Sequence, residues 1–329
     1  SEYRAVIIET DFLTELFSRI EERVGTRISH MVFEAQRSAA REGIEKDLER
    51  FPYSLGRIGP GKRLVVRFFN KLTTLNGLCY TRTICYKPGR FGEAIIRNPY
   101  NRELMAAVIL GAFEGLERKN YRHTWRKMDG DDVISIALAE EKPKISERMG
   151  LVFPPVKPGD ITLVRCTSCG VPRDLAFLEW HEEEGQVIDT RLGTRVAFLD
   201  GYVPSVIFRE LGKELGEEVY SLIIQVEKEC THRRLQDLGF TIEAGRHLAH
   251  WELEKFYNRV LYWLPLWGQG NPVSFRHEEK RLEVAVDNPY NEHLLAGYIA
   301  ALFEAVEGVE SEISWTSPET SSVVYTIKA

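Results

Sequence analysis

The sequence NPYNRELMAAVILGAFEGLE at residues 98–117 returns as NPYNEHLLAGYIAALFEAVEG at residues 288–308, 190 residues further along the chain. A second pair, TELFSRIEERVG at 14–25 and SVIFRELGKELG at 205–216, repeats at an offset of 191. Two matches at nearly one offset are not expected by chance, and the period far exceeds the roughly 20–50 residues of solenoid repeats. The sequence therefore predicts a duplicated domain.

Both copies follow the same predicted order of elements. A short apolar strand (residues 4–9 or 195–200) precedes an amphipathic helix and a second helix. Alternating, aromatic-rich segments follow and are predicted as antiparallel strands: 64–70 and 78–86 in the first copy, 261–267 and 273–276 in the second. A strand then leads into each NPYN helix, and a β-prone segment closes each copy.

The NPYN motif predicts how the repeated helix begins. An asparagine side chain can accept a hydrogen bond from a free amide of the first turn, which suits Asn98 and Asn288 to the N-cap. Pro99 and Pro289 then fit the first helical position, where a missing N–H is tolerated.

The chain divides into four predicted segments. The two copies occupy residues 1–141 and 195–329, and the linker between them, residues 142–160, holds four prolines and two glycines. Residues 161–194 have no counterpart in the first copy and predict a small β-rich insert with one helical turn.

Composition limits the class of protein. The 329 residues are 43% apolar and 28% charged, which gives each copy enough material for a core. A net charge of −6 argues against a nucleic-acid partner. No apolar run approaches the ~18 residues of a membrane span, and no signal segment is recognisable. We expect a soluble, cytoplasmic protein.

Two cysteines in the insert form a candidate metal site. Cys166 and Cys169 stand in a C-x-x-C-G pattern, in which the glycine lets backbone amides turn toward the sulfurs. A structural zinc takes four ligands, so His181, Cys230, His232 or the same motif of a second subunit would complete the set. A tight turn with two reduced thiols fits the pattern equally well.

An aromatic cluster in the second copy is the candidate ligand site. Large aromatic rings around an apolar cavity are typical of small-molecule sites, although they also form ordinary cores. The predicted ligand-binding residues are Trp251, Tyr257, Tyr262, Trp263, Trp267 and Phe275, with Phe256 beside them. We expect the second copy to hold the better cavity, because the first offers only Phe68, Phe69, Tyr80 and Tyr86 in the corresponding stretch.

Two further sets of residues have an ordinary explanation. Cys79 and Cys85 share one face of a predicted strand, which favours small core residues over thiols lining a ligand channel. Glu114 and Glu304 recur at the same place in the repeated helix, as do Glu117 and Glu307. Their i, i+3 spacing puts both carboxylates of a copy on one helix face, which favours a solvated face.

The ending of each copy resembles the V4R (4-vinyl reductase) domain, a family associated with small-molecule and hydrocarbon binding and akin to Bet3-type subunits. The resemblance rests on LEVAVDNPYNEHLLAGYIAALFEAVEGVESEISW at 282–315 and GYVPSVIFRELGKELGEEVY at 201–220. It implies an α+β fold, with antiparallel sheet and long helices around an apolar channel. It also implies that the tandem copies pair through their helices as an intramolecular pseudo-dimer.

The resemblance departs from the family at one point. Many V4R domains bind zinc through a glutamate and two cysteines near the ligand. Glu312 matches the acid, but the cysteine positions fall on Trp315 and Val323 in the second copy and on Trp125 and Val133 in the first. The usual zinc site is therefore absent from both copies, and Cys166 and Cys169 are the candidate ligands that remain.

Three functions are compatible with these features. The first is non-catalytic binding of an apolar or aromatic small molecule, hydrocarbon-like or tetrapyrrole-like, in a V4R-type cavity. The second is a subunit or accessory protein of a reductase acting on such a molecule, and the third is a structural adaptor, either as a homodimer or as a complex subunit. No titratable pair expected of an enzyme acting alone is recognisable, which favours the first.

Overall fold

The protein was analysed as a computed structural model, which describes residues 4–50, 53–57, 59–140, 155–159, 161–240, 249–278, 280–319 and 321–329. Within those residues the fold is α+β, with three antiparallel sheets and eight α-helices. Of the predicted linker, residues 155–159 form neither helix nor strand, and the rest lies outside the described residues.

The first half of the molecule, residues 4–140, begins with a strand and three helices and ends with two hairpins separated by a helix. Its elements are β1 (Ala5–Glu9), α1 (Thr10–Val24), α2 (Ser29–Asp47), α3 (Gly59–Leu75), β2 (Tyr80–Lys87), β3 (Phe91–Arg97), α4 (Arg102–Glu117), β4 (Tyr121–Met128) and β5 (Asp131–Leu138).

The insert contributes a short 3-10 turn at Arg173–Leu175 and two strands, β6 (Leu178–His181) and β7 (Gln186–Asp189). The second half, from residue 194 onward, then repeats the order of the first. Its elements are β8 (Thr194–Asp200), α5 (Val203–Leu215), α6 (Glu218–Asp237), α7 (His250–Leu266), β9 (Asn271–Glu278), β10 (Arg281–Asp287), α8 (Glu292–Glu307), β11 (Glu312–Glu319) and β12 (Ser322–Lys328).

The sheets of the two halves have the same strand order. The first-half sheet runs β2-β3-β5-β4, and the second-half sheet runs β9-β10-β12-β11. Pairing is also equivalent, because Ala94 lies opposite Ile134 in the first sheet and Val284 lies opposite Tyr325 in the second. Each half therefore places the same helices over the same face of an antiparallel sheet.

A third sheet joins the halves and the insert. Its order is β1-β8-β7-β6, so the opening strands of both halves pair with each other, with Ala5 opposite Asp200. Helices α1 and α2 pack on α6 and α5. The two halves consequently share one apolar core.

Two predicted strands are helical. Residues 64–70 lie in α3 and residues 261–267 lie in or directly after α7. Buried Tyr257, Leu261 and Leu264 recur at the three- and four-residue spacing of one helix face. The aromatic content of these segments suggested strands, but the spacing of the buried residues is that of a helix.

The predicted helix caps are shifted by three residues. Asn101 and Asn291 are the N-caps, and their side chains accept hydrogen bonds from the amides of Leu104 at 2.9 Å and Leu294 at 3.0 Å. Asn98 has a positive φ of 47°, as asparagine tolerates in a turn. The first asparagine of each motif forms the turn, and the second begins the helix.

Small residues let α4 approach α2 closely. A Cβ on Gly111 would lie 2.1 Å from the carbonyl oxygen of Arg37, and one on Gly297 of α8 would lie 2.5 Å from that of Ile224 in α6. Both distances are far below van der Waals contact. The repeated helix is thus fixed against its neighbour by a glycine at the contact point in each half.

Candidate functional site

An apolar pocket lies inside the first half, between helices α3 and α4 and the face of strands β2, β3 and β5. We call it the first-half pocket. Its volume is about 100 Å³, and its walls include Val66 and Phe69 from α3, and Ala112 and Phe113 from α4. Cys85 of β2 also lines it, so one of the two strand cysteines faces this space.

The corresponding space in the second half is occupied by larger side chains. Sheet register and chain offset pair five residues of the pocket wall with bulkier counterparts that are fully buried. The pairs are Val66 with Tyr257, Gly92 with Leu282, Ala94 with Val284, Ala112 with Leu302, and Ile134 with Tyr325. The pocket therefore results from side-chain size on a scaffold that both halves share.

Aromatic rings form one end of the first-half pocket. The Phe113 ring meets Tyr86 edge-on at 5.5 Å and Tyr121 at 5.0 Å between centroids. A Cβ on Gly92 would lie 2.9 Å from the Phe113 ring, which is too close, so a glycine at this position allows the ring to lie where it does. A ring-shaped guest could meet Phe113 and Tyr86 in the same edge-to-face manner.

The polar groups around the first-half pocket already have partners. Asn70 Nδ2 donates to Thr83 Oγ1 at 2.8 Å, and the Tyr86 hydroxyl donates to Glu117. Burial, followed by the Glu117 hydrogen bond, raises the pKa of Tyr86 above its ordinary value. Since these groups are satisfied within the protein, the space between them is suited to an apolar guest rather than to a polar one.

The acidic residues of the repeated helix are buried, which corrects the prediction of a solvated face. Glu114 binds the Arg37 guanidinium through both oxygens, at 2.6 and 2.9 Å, and also accepts from the Tyr121 amide. Glu304 accepts from Lys228, His232 and Ser311 in the second half. Each carboxylate therefore binds both the neighbouring helix (α2 or α6) and the backbone at the start of the last hairpin of its half.

Glutamates one turn later in α4 and α8 are also paired. Glu117 accepts from Lys62 Nζ at 2.7 Å, and Glu307 lies 2.9 Å from His277 Nε2. His277 occupies the place that Tyr86 has in the first half. These four glutamates are structural, because each is held by partners that pack α4 or α8 against the rest of its half.

The aromatic residues predicted to bind a ligand do not surround one cavity. Trp251 is 64% exposed and Tyr262 is 40% exposed, with the Tyr262 hydroxyl bonded to Asp174 of the insert. Tyr257 is fully buried, and its ring lies 5.6 Å from that of Phe275. Trp263 and Trp267 line a different space, between the halves.

That second space, which we call the junction cavity, has a volume of about 470 Å³. Its lining comes from β1 and α1 of the first half, from the turn between β7 and β8, and from α6, α7 and α8 of the second half. It includes Trp263 and Trp267 together with Phe12 and the charged pair Glu227 and Arg234. Sequence reasoning identified the two tryptophans, but it could not show that residues from both halves meet them.

The C-x-x-C motif forms a compact turn on the insert. Cys166 Sγ lies 3.0 Å from Ser168 Oγ, and the Gly170 amide donates to the Cys166 carbonyl at 2.9 Å. Of the predicted additional ligands, Cys230 is buried in α6, where burial first and the Glu227 charge second raise its pKa to about 12. His232 is bonded to Glu304.

Within the described ranges, no three histidine, cysteine or acidic side chains are grouped so that they could hold a metal. In the same part of the chain, no helix combines the length and apolar character needed to cross a membrane.

Among the described residues, the fold is α+β, and the first-half pocket and the junction cavity are both partly open to solvent. No protein-family model matches the chain, and no curated protein matches it. A solved structure, the phenol-responsive sensory domain of the transcription activator PoxR with phenol, is similar to part of it. That similarity has 14% identity and a TM-score of 0.35, and it covers 47% of this chain and 87% of the other.

Proposed function

We propose that this protein binds an apolar or aromatic molecule of single-ring size in the first-half pocket, without acting on it chemically. The observation that supports this most strongly is the difference between the halves at equivalent wall positions. Where the second half has the fully buried Leu302 and Tyr257, the first half has Ala112 and Val66 in the wall of a pocket.

An apolar space of this size carries a cost in stability. At roughly 24 cal/mol per Å³, a 100 Å³ cavity lowers the free energy of unfolding by about 2 kcal/mol. The second half avoids that cost with residues that the same backbone accommodates. Retaining the space in the first half is explained if a ligand fills it, since dry cavities of about 150 Å³ lined by apolar side chains bind benzene.

We further propose that the two halves are duplicated V4R-type domains. The shared order of elements and the shared strand order support a common origin, and the pocket lies between helices and sheet as the family resemblance implies. Pairing of β1 with β8 and packing of α1 on α6 support an intramolecular pseudo-dimer.

The test is the substitution Ala112→Leu, which gives position 112 of the first half the leucine that the second half has at position 302. Fluorobenzene binding to the original protein and to this variant is measured by ¹⁹F NMR. The original protein should bind the probe, and benzene should compete. The variant should lose at least tenfold in affinity and gain about 1 kcal/mol in free energy of unfolding, because the added methyl groups fill the space.

Ala137→Leu is the matched control. Ala137 is exposed on β5, so the same atoms are added on the outer face of the sheet and binding should not change. Equal affinity of the original protein and Ala112→Leu would contradict the proposal, as would the absence of fluorobenzene binding to either.

A further inference from the structure

The junction cavity differs from the first-half pocket in size and in the chemistry of its wall. At about 470 Å³ it is within the roughly 300–1,000 Å³ range of small-molecule sites. Both halves contribute to it, Ile8 and Phe12 from the first and Val260 and Leu295 from the second. It therefore exists only when the two halves are packed together.

One wall of the junction cavity is aromatic. The Trp263 and Trp267 rings lie 6.5 Å apart at 75°, and the Arg191 guanidinium carbon lies 4.1 Å from the centroid of Trp263. Asp189 holds Arg191 through two hydrogen bonds, at 3.0 and 2.6 Å. Trp263 is thus fixed in position, and a planar guest could stack on one indole and meet the edge of the other.

Polar atoms without partners are concentrated on this cavity. In the described part of the chain, nine buried side-chain nitrogen or oxygen atoms have no hydrogen-bond partner, and four belong to residues lining the junction cavity. Three can donate, namely Thr194 Oγ1, Arg234 Nε and Trp267 Nε1, and the fourth is Glu227 Oε2. An unpaired buried polar group costs about 1–3 kcal/mol, so a polar partner that reached these atoms, a ligand hydroxyl or a water, would be stabilised.

Charged groups of both signs stand around the junction cavity, and the closest of them are paired. The lining holds three carboxylates (Glu9, Glu227 and Asp237) and three guanidinium groups (Arg191, Arg234 and Arg259), and Asp189 beside the cavity already neutralises Arg191. Glu227 Oε1 and Arg234 Nη2 are paired at 2.7 Å, with Thr231 Oγ1 donating to the same carboxylate oxygen. A charged guest would compete with these ion pairs, whereas a neutral one would leave them in place.

We propose that the junction cavity is a second binding site, and that its ligand is an uncharged molecule with a flat body of two or more fused rings and one hydroxyl group. The hydroxyl oxygen would accept from one of the unpaired donors, and its proton would be donated to Glu227 Oε2. The fused rings would pack on Trp263 and Trp267. Such a body exceeds the first-half pocket, so the two sites select guests by size.

Equilibrium dialysis of the full chain tests this with three probes that share one ring system: 2-naphthol, naphthalene and 2-naphthoate. We expect 2-naphthol to bind at least tenfold more tightly than either of the others. Naphthalene lacks the hydroxyl, and 2-naphthoate adds a charge. Thr194→Val removes one donor with little change of shape, and Trp267→Phe removes another together with part of the aromatic wall. At least one should weaken 2-naphthol binding threefold or more, and by a larger factor than it weakens naphthalene binding.

Ala112→Leu separates the two sites. It should leave 2-naphthol binding unchanged, whatever it does to fluorobenzene, so a failure of the first-half pocket is distinguishable from a failure of the junction cavity. The inference is overturned if the three probes bind within threefold of each other, if no probe binds and the cavity holds only water, or if 2-naphthol affinity is unaffected by both Trp267→Phe and Thr194→Val.

Discussion

At the scale of single residues, the repeated glutamates show the limit of reading a sequence by pattern. Glu114 and Glu304 each lie three residues before a second glutamate, as on an exposed acidic face, yet both are buried in ion pairs with α2 or α6. Their partners are more than 70 residues away in sequence, at Arg37 and Lys228. The signal that was available is the recurrence of a basic residue at the same offset, since 37 and 228 differ by 191.

The environment of Glu304 leads to a pH prediction. Burial opposes ionisation, but hydrogen bonds from His232, Lys228 and Ser311 outweigh it and lower the pKa of Glu304 from 4.5 to about 2. Because the folded state holds the proton less tightly, this group stabilises the fold above pH ~4.5 and ceases to do so as the pH falls toward 2. The contribution is on the order of 3 kcal/mol.

Urea unfolding of the original protein and Glu304→Gln checks this between pH 2 and pH 7. The loss of free energy of unfolding in the variant should be greatest near neutral pH and should shrink toward pH 2. Glu310→Gln, which changes an exposed acid nearby, is the control and should unfold like the original protein. A loss that is the same at every pH would contradict the assignment.

Zinc at Cys166 and Cys169 stays a prediction. Protein purified without chelator should contain about one zinc per chain or per pair of chains when measured by elemental analysis, and Cys166→Ser with Cys169→Ser should remove it. If the original protein contains no stoichiometric metal, the motif is only a tight turn, closed by the hydrogen bond from the Gly170 amide to the Cys166 carbonyl.

At the scale of elements, the sequence predicted the repeated helix correctly, while it missed the helical character of α3 and α7. The sequence repeated at 98–117 and 288–308 carries small residues and ends in the predicted helix, which begins directly after Asn101 and Asn291. In α7, the run Leu261–Trp267 is apolar at nearly every position, because Leu261 and Leu264 belong to the shared core while Leu266, Trp263 and Trp267 pack with residues of the insert. When a segment is buried on several sides, the spacing of its apolar residues does not distinguish a helix from a strand.

Close packing of α4 on α2 can be tested at Gly111. A Cβ there would meet the Arg37 carbonyl at 2.1 Å, so Gly111→Ala should lower the free energy of unfolding by about 3 kcal/mol in spite of alanine's better helix propensity. Gly59→Ala, at the start of α3 with open space around it, is the matched control. If thermal unfolding shows the same loss of stability for Gly111→Ala and Gly59→Ala, the close contact between α4 and α2 is contradicted.

At the scale of the whole molecule, the junction between the halves could not be predicted from sequence. The repeat indicated two similar units, but the shared sheet β1-β8-β7-β6 depends on which strands pair. Arg195 illustrates this, since its Nη2 donates to the Gly77 and Asn98 carbonyls of the first half at 2.8 and 2.6 Å. The cavities could not be predicted from the sequence either, because the volume of a cavity depends on which side chains face each other in the fold.

The asymmetry of the halves follows from side-chain size. The sequence indicated aromatic residues in the second copy as the ligand site, on the ground that large rings line cavities. In the structure Tyr257 and Tyr325 are fully buried on the second-half sheet, at places where the first half has Val66 and Ile134 beside its pocket. Small residues at equivalent places are the signal that identifies the open copy, once the repeat is aligned.

A crystal structure of the protein soaked with bromobenzene, with the bromine located by anomalous scattering, shows directly whether the first-half pocket binds a single-ring guest. We expect a bromine peak inside the first half, between α3, α4 and the sheet, in contact with Phe113 and Ala112. If a crystal soaked in saturated bromobenzene shows no bromine in the first-half pocket, the proposed binding is contradicted. A bromine peak found only between Tyr257 and Tyr325 of the second half would contradict it as well.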